Sequence, residues 1–451
     1  MDSKYNTIHK IQDILPLTPL QRTFLLWGLS HPSSFRYYEQ WRYRITGKIQ
    51  IDMMRTAWKK TIEHFSILRG IFLWDKIRAP VFVILERQNV NFRVYDIQDS
   101  IHHTRKAAAD DIAIKEWQDR VDLNVNPIRF SVIVLSQNEC EWIISSHHIL
   151  FDGWSNGLIM SYLIDCYNSL CKNQMISVES DLCLYKKHLK RTLDEYQKPD
   201  HKRFWREYLH GYSTCDTKDT QWIDTRDNHV CVFPIPDDLL KKIELFCIAH
   251  NCSLSALLYA AWAMKSAMQN KQHDIVIGAT VSGRNGLSSY DMSNLIGLWI
   301  QTVPIRINCG KDIAIGDMIA KIQSDLLAAE KHIYMHNHNW LELFPDFNAI
   351  YNQMLTIQNY PIDKDINEGT SIYIEFLSSF YQVISNITVS VKAFSFIKCM
   401  EISFNTAVYK KSNIENFALQ FFDLLRYMSL MINDQKISNI YKELSDYFNE
   451  I

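Results

Sequence analysis

Ser145-Ser146-His147-His148-Ile149-Leu150-Phe151-Asp152-Gly153-Trp154-Ser155 places two adjacent histidines where an apolar strand ends and an Asp-Gly turn begins. Upstream, Phe130–Leu135 and Cys140–Ile144 are runs rich in β-branched residues separated by a short polar turn. They predict a buried hairpin. Downstream, Leu158, Ile159, Tyr162, Leu163 and Cys166 recur at helical spacing. A strand, a tight turn and a helix opening near Trp154 follow from these periods.

Alternation limits which histidine can do chemistry. Neighbouring side chains on a strand point to opposite faces. One of His147 and His148 is therefore expected to face a cleft, while the other packs or holds the loop. Asp152 lies four residues after His148, in the position of a helix cap, and Gly153 permits a tight turn. The helix start offers backbone N–H groups that suit a developing negative charge. The plainer alternative is two packed histidines and a capping aspartate.

The composition narrows the function classes. The chain has 451 residues, enough for two domains, with 47% hydrophobic and 22% charged residues and a formal net charge of −2. No basic run suggests nucleic acid, and no apolar run reaches the roughly 20 residues of a membrane span. Ten cysteines without C-x-x-C pairs, and a polar N-terminus without an apolar targeting core, lead us to expect reduced thiols and a cytoplasmic protein.

Taken in order, Thr18 and Pro19 read as the cap and first position of a helix presenting Leu20, Phe24 and Trp27 on one face. Tyr38–Ile45 reads as a strand and Ile51–His64 as an amphipathic helix. Phe204, Trp205 and Tyr208 mark a packed helix face. Gln197 to Thr225 is mostly polar and marks the boundary between halves. Beyond it, strands are expected near Val230–Phe233, Ile387–Val391 and Met400–Phe404, and Asp274–Arg284 reads as a buried strand ending in a glycine turn. Helices are expected from about Asp237 to His250, Ser253 to Met268, Asp312 to Lys331 and Asn413 to Ile432. His332, His336 and His338 invite a metal reading, but no fourth-ligand pattern accompanies them and no metal is expected.

His147-His148-Ile149-Leu150-Phe151-Asp152-Gly153 resembles the His-His-x-x-x-Asp-Gly signature of nonribosomal peptide synthetase condensation domains. That superfamily also holds chloramphenicol acetyltransferase and other carrier- or CoA-dependent acyltransferases. Further resemblances follow in the family's order. Leu17-Thr18-Pro19-Leu20-Gln21 is similar to the first motif. His64 to Phe72, with Leu68-Arg69, is similar to the second, although His64 stands one place further from the leucine than usual. Asp181–Lys187 weakly resembles the fourth, Tyr185 included. Ser282-Gly283-Arg284 closes a strand as in the family. Gly297-Leu298-Trp299-Ile300-Gln301-Thr302-Val303-Pro304 resembles Gly-x-Phe-x-Asn-Thr-x-Pro, with Trp299 and Gln301 departing from Phe and Asn. Gln358-Asn359-Tyr360-Pro361 resembles Glu-Asn-Tyr-Pro, and the sixth motif is poorly kept.

The resemblance spans roughly residues 15 to 432, with no adenylation or carrier segment on either side, as in a stand-alone domain. It implies an α+β fold of two chloramphenicol-acetyltransferase-like lobes forming a V-shaped pseudo-dimer. Residues 1–196 would form the N-terminal lobe, 197–225 the boundary and 226–451 the C-terminal lobe. It implies amide formation between an acyl or peptidyl thioester and an amine. His148 would be the base or positioner, with His147 supporting the loop, Asp152 as scaffold and Gly153 near the developing oxyanion. Asp152 would pair with an arginine, Arg284 or else Arg69. Trp154, Ser155, Trp299, Gln301 and Tyr360 would line the substrate tunnel.

No tightly bound cofactor is implied. Phosphopantetheine would come on a partner carrier protein, and the remaining partner would be the amine acceptor, with neither nucleic acid nor membrane. The subtype it resembles more takes a D-configured donor. Other readings are an acyltransferase using CoA or a soluble amine, an epimerization domain, and a non-catalytic recruitment domain.

Overall fold

The computed structural model describes residues 10–100, 104–212, 228–270, 272–284, 292–310, 313–343, 353–358, 372–382, 386–394, 397–430 and 435–440. The expected hairpin forms from strands Ile128–Ser136 and Glu139–His147, antiparallel, with Ile144 opposite Phe130. Both strands are almost wholly buried, which is why they read as continuous apolar runs rather than alternating ones. The helix that follows runs Gly153–Cys171, and Asp152 caps it by accepting from the Ser155 N–H. Thr18 caps the helix Pro19–Ser30 in a reciprocal capping box with Gln21. The helix Ile51–His64 packs against Gly153–Cys171.

The described strands form three sheets. A five-stranded sheet has the order Ile372–Tyr381, Tyr38–Gly47, Glu139–His147, Ile128–Ser136, Phe92–Asp96. A six-stranded sheet has the order Gln301–Asn308, Asp274–Val281, Gln353–Gln358, Ile387–Phe394, Ile397–Asn405, Asn228–Pro234. Ile11–Pro16, Val81–Leu85 and Gly70–Leu73 make a small third sheet.

Two large cores result. One gathers Trp58, Phe130, Trp142, Ile144 and Leu163 from the first half. The other gathers Leu257, Trp262, Ile277, Val389 and Phe421 from the second. The polar stretch read as a boundary contains the helix Asp200–Tyr208, whose Trp205 is fully buried in the second core.

The halves exchange material. Ile372–Tyr381 comes from late in the chain yet pairs antiparallel with Tyr38–Gly47. Leu295, Ile296, Leu298 and Trp299 pack into the first core. These crossings hold one half against the other and bring residues from both to the end of the histidine strand. No single helix among the described residues is long and apolar enough to cross a membrane.

Candidate active site

His147 and His148 do fall on opposite sides. His147 is 1% exposed and accepts a hydrogen bond at Nδ1 from the Ile149 N–H, 3.0 Å. Its ring meets the Tyr38 ring edge-on at 4.7 Å. Burial, reinforced by the neighbouring His148, pulls its pKa down to about 3, so it stays neutral. It holds the turn.

His148 lines a cavity of about 1350 Å³ whose walls come from both halves of the chain. Its backbone N–H donates to the Tyr37 carbonyl at 2.7 Å, extending the strand pairing to its last residue. Its side-chain Nδ1 donates to the Phe151 carbonyl, also at 2.7 Å. That bond fixes the ring and, in the neutral tautomer, leaves Nε2 with the lone pair. Phe24 packs beside the imidazole, with ring centroids 5.9 Å apart.

Nε2 lies 3.6 Å from Glu39 Oε1. The strand reading of Tyr38–Ile45 contained Glu39 without assigning it to the site. Register explains its placement, because Glu39 stands opposite Ser146, and alternation puts Ser146 and His148 on the same face. Burial pushes the Glu39 carboxyl above its ordinary range, opposed by His148 and the Trp41 indole.

Asp152 lies out of reach of solvent, 0% exposed, and its two oxygens are saturated. Oδ1 accepts from Ser155 N at 3.0 Å, Ser155 Oγ at 2.8 Å and Arg284 Nη2 at 2.9 Å. Oδ2 accepts from Arg284 Nη1 at 2.9 Å, Trp299 N at 3.0 Å and Ile300 N at 3.2 Å. Burial raises the carboxyl's pKa, but Arg284's charge and these hydrogen bonds outweigh it and hold the group below the usual carboxylate range. Asp152 is thus a clamp between the helix start of the first half and the Arg284 and Leu295–Ile300 loops of the second. The glycine before the arginine permits the clamp: Gly283 has φ +65°, and a Cβ there would meet the Trp299 carbonyl oxygen at 2.1 Å.

The other arginine is elsewhere. Arg69 donates to the Ile62, Glu63 and Leu85 carbonyls and to Gln12, closing the end of the Ile51–His64 helix. Helix-end carbonyls a few residues away claim its guanidinium, and it makes no bond to Asp152.

The tunnel residues divide. Gly153, Trp154 and Gln301 line the cavity. The Trp154 indole donates to the Ser293 carbonyl at 2.8 Å, and Gln301 donates to the Tyr196 hydroxyl at 3.2 Å. Ser155 does not line it; its hydroxyl is consumed by the clamp, bonding Asp152, Arg284 and Gly297. Trp299 also turns away. The chain bends at Gly297, φ +153°, and drives the indole into the first core against Tyr185 and edge-on to His188. Tyr360 lies outside the described residues. His332 stacks on Phe204 and His336 on His338, and no metal-holding cluster occurs among the described residues.

Comparison with known proteins agrees with this architecture. The condensation-domain family model matches residues 11–440. The chain is 25% identical over 369 residues to surfactin synthase subunit 3 of Bacillus subtilis, covering 80% of this chain and 28% of that protein. It is 25% identical over 370 residues to gramicidin S synthase 2 of Brevibacillus brevis, covering 80% and 8%. It therefore spans under a third of the length of these relatives.

The fold matches the first condensation domain of the CDA synthetase with a TM-score of 0.75 at 14% identity, covering 95% of this chain and 99% of that one. The starter condensation domain of rhizomide synthetase RzmA gives 0.74 at 16%, covering 94% and 98%. These matches show that the chain has the mixed α/β fold of solved condensation domains across nearly its whole length. With a family model matched across nearly its whole length, the chain belongs to the condensation-domain family, whose chemistry is amide formation in nonribosomal peptide synthesis.

Proposed function

We propose that this chain joins an acyl or peptidyl thioester to the amine of an acceptor, forming an amide and releasing the thiol. The observation that carries the proposal is His148: a ring locked through Nδ1, with Nε2 toward a large cavity built by both halves. At about 1350 Å³ the cavity exceeds the roughly 300–1,000 Å³ of ordinary small-molecule sites, which suits two reactants meeting in one chamber. Each arrives as substrate, the donor on the phosphopantetheine arm of a carrier protein. We propose no tightly held cofactor.

The amine nitrogen attacks the thioester carbonyl. Its surplus proton passes to His148 Nε2, the C–N bond forms, and the C–S bond breaks as the proton reaches the departing sulfur. A positioned base supplies about 10²–10⁴-fold. Holding the two reactants together accounts for up to about 7–11 kcal/mol more. The helix start at Gly153 borders the cavity, and its N–H groups and dipole favour the oxyanion. His147 and Asp152 act through the loop: one anchors its turn, the other ties it to the second half.

The partner is a carrier protein bearing the donor. The described cysteines are free thiols, which suits a reducing compartment, and the proposal places the protein in the cytoplasm. The test is to supply a carrier loaded with an acyl or aminoacyl donor, add an amine, and follow product and carrier by mass. Amide formed with loss of the acyl group from the carrier supports the reading. Release of free acid alone, unchanged by the amine, contradicts it.

A further inference from the structure

Glu39 is a charged group of this cavity, beside His148, to which the mechanism above gives no role. Three strands place it. Tyr381, Glu39 and Ser146 stand side by side across Ile372–Tyr381, Tyr38–Gly47 and Glu139–His147, so their side chains share one face. His148 lies on that same face two residues past Ser146.

Two observations distinguish this arrangement from an ordinary buried ion pair. First, the Nδ1 proton of His148 is committed to the Phe151 carbonyl, so the neutral ring turns an acceptor toward another acceptor, Glu39 Oε1, at 3.6 Å. That separation is too long for a direct hydrogen bond. Second, Glu39 Oε2 is buried and accepts no hydrogen bond of ordinary geometry, although the Trp41 indole favours its charge. Each side chain is 15% exposed and both line the cavity, so a small ligand can reach them. Two converging acceptors, one anionic, are satisfied together by a cationic donor with more than one N–H. Among the described residues, the other acidic side chain on the cavity wall, Glu330, already accepts from the Ser282 hydroxyl at 3.0 Å.

We propose that Glu39 is the residue that recognises the acceptor: its carboxylate takes one N–H of an incoming primary alkylammonium while His148 Nε2 takes another. This rests on the condensation reading and deepens it, because it adds that the acceptor amine is bound as the ammonium, with Glu39 as its partner. The Glu39 carboxylate takes the ammonium's first proton, which gives the nitrogen its lone pair and leaves Nε2 free for the second proton as the nitrogen attacks; the proton on Glu39 returns to solvent after the product leaves.

The test needs neither donor nor turnover, so it stands apart from the test of amide formation. Trp27, Trp41 and Trp154 line the cavity, and their fluorescence reports entry of a small ligand. The full chain is titrated at neutral pH with hexylammonium chloride and with 1-hexanol, as wild type, Glu39→Gln and Glu39→Asp. Wild type is expected to hold the ammonium at least about tenfold more tightly than the alcohol. Glu39→Gln removes that preference and leaves the alcohol within about twofold, while Glu39→Asp retains part of it. Equal weakening of both probes in Glu39→Gln, an unchanged preference in that variant, or no preference in wild type overturns the assignment.

Discussion

Replacing Asp152 by Ala tests the clamp, and its magnitude follows from what the carboxylate now satisfies. The Arg284 side chain is only 3% exposed, so removing its partner strands a buried cation. Breaking such a pair costs about 3–5 kcal/mol. The Trp299 and Ile300 N–H groups lose their acceptor as well, and buried donors left unpaired cost about 1–3 kcal/mol each. These penalties overlap, so we expect the upper part of the pair range, about 4–5 kcal/mol. For halves of this size each kcal/mol moves the melting temperature by about 2–4 °C, which gives a fall of roughly 8–20 °C.

Arg284→Met should cost less, because Ser155, Trp299 and Ile300 still donate to the remaining carboxylate. The double variant Asp152→Ala/Arg284→Met leaves no unpaired charge and should lose less than the two single variants combined, by about 1–3 kcal/mol. Scanning calorimetry of wild type, both single variants and the double variant reads all four corners. If Asp152→Ala melts within about 1 kcal/mol of wild type, or if the losses simply add, the clamp is not the joint described above.

Other expectations follow from the same geometry. The folded-state pKa of His147 is depressed from 6.5 to about 3, so the unfolded chain binds the extra proton between those values and stability falls as pH drops through that window. His147→Gln should reduce that slope, by up to about 1.4 kcal/mol per pH unit, in urea unfolding between pH 7 and 5. Asp152 has the same sign at lower pH: its contribution is complete above its unfolded value of 3.8 and is lost as pH falls through the lower folded value, so acid unfolding of Asp152→Asn should be shallower below about pH 4. Gly283→Ala forces a Cβ against the Trp299 carbonyl, and a loss of about 2 kcal/mol or more together with weakened condensation should show in melting and turnover. Arg69→Met should lower stability yet leave the turnover of folded protein near wild type, because its partners are helix-end carbonyls outside the cavity.

The parts legible in the sequence were those set by local period. Two apolar runs with a polar turn gave the hairpin, helical spacing gave Gly153–Cys171, and alternation correctly separated His147 from His148. Thr18 and Pro19 carried their helix start in two adjacent residues, whereas the reciprocal cap from Gln21 emerged only in the structure. What was hidden depends on contacts far apart in the chain. Nothing near Asp152 distinguishes Arg284, 132 residues away, from Arg69; the resemblance supplied both candidates, and the carbonyls at the end of a neighbouring helix settled where Arg69 goes. Trp299 and Gln301 look equivalent by spacing, but the strand begins only at Gln301 and the turn at Gly297 sends the indole into the core. Glu39 reads as one polar residue in a strand until its register with Ser146 is known. The crossing of Ile372–Tyr381 into the first half's sheet has no local signature, because pairing between distant strands is decided by tertiary packing.

Single-turnover amide formation by wild type and His148→Ala, with a loaded donor carrier, saturating amine and matched melting curves, bears most directly on the central claim. With His148 as the positioned base, the variant keeps its fold and loses about 10²–10⁴-fold in rate. A folded His148→Ala protein forming amide at the wild-type rate would contradict it.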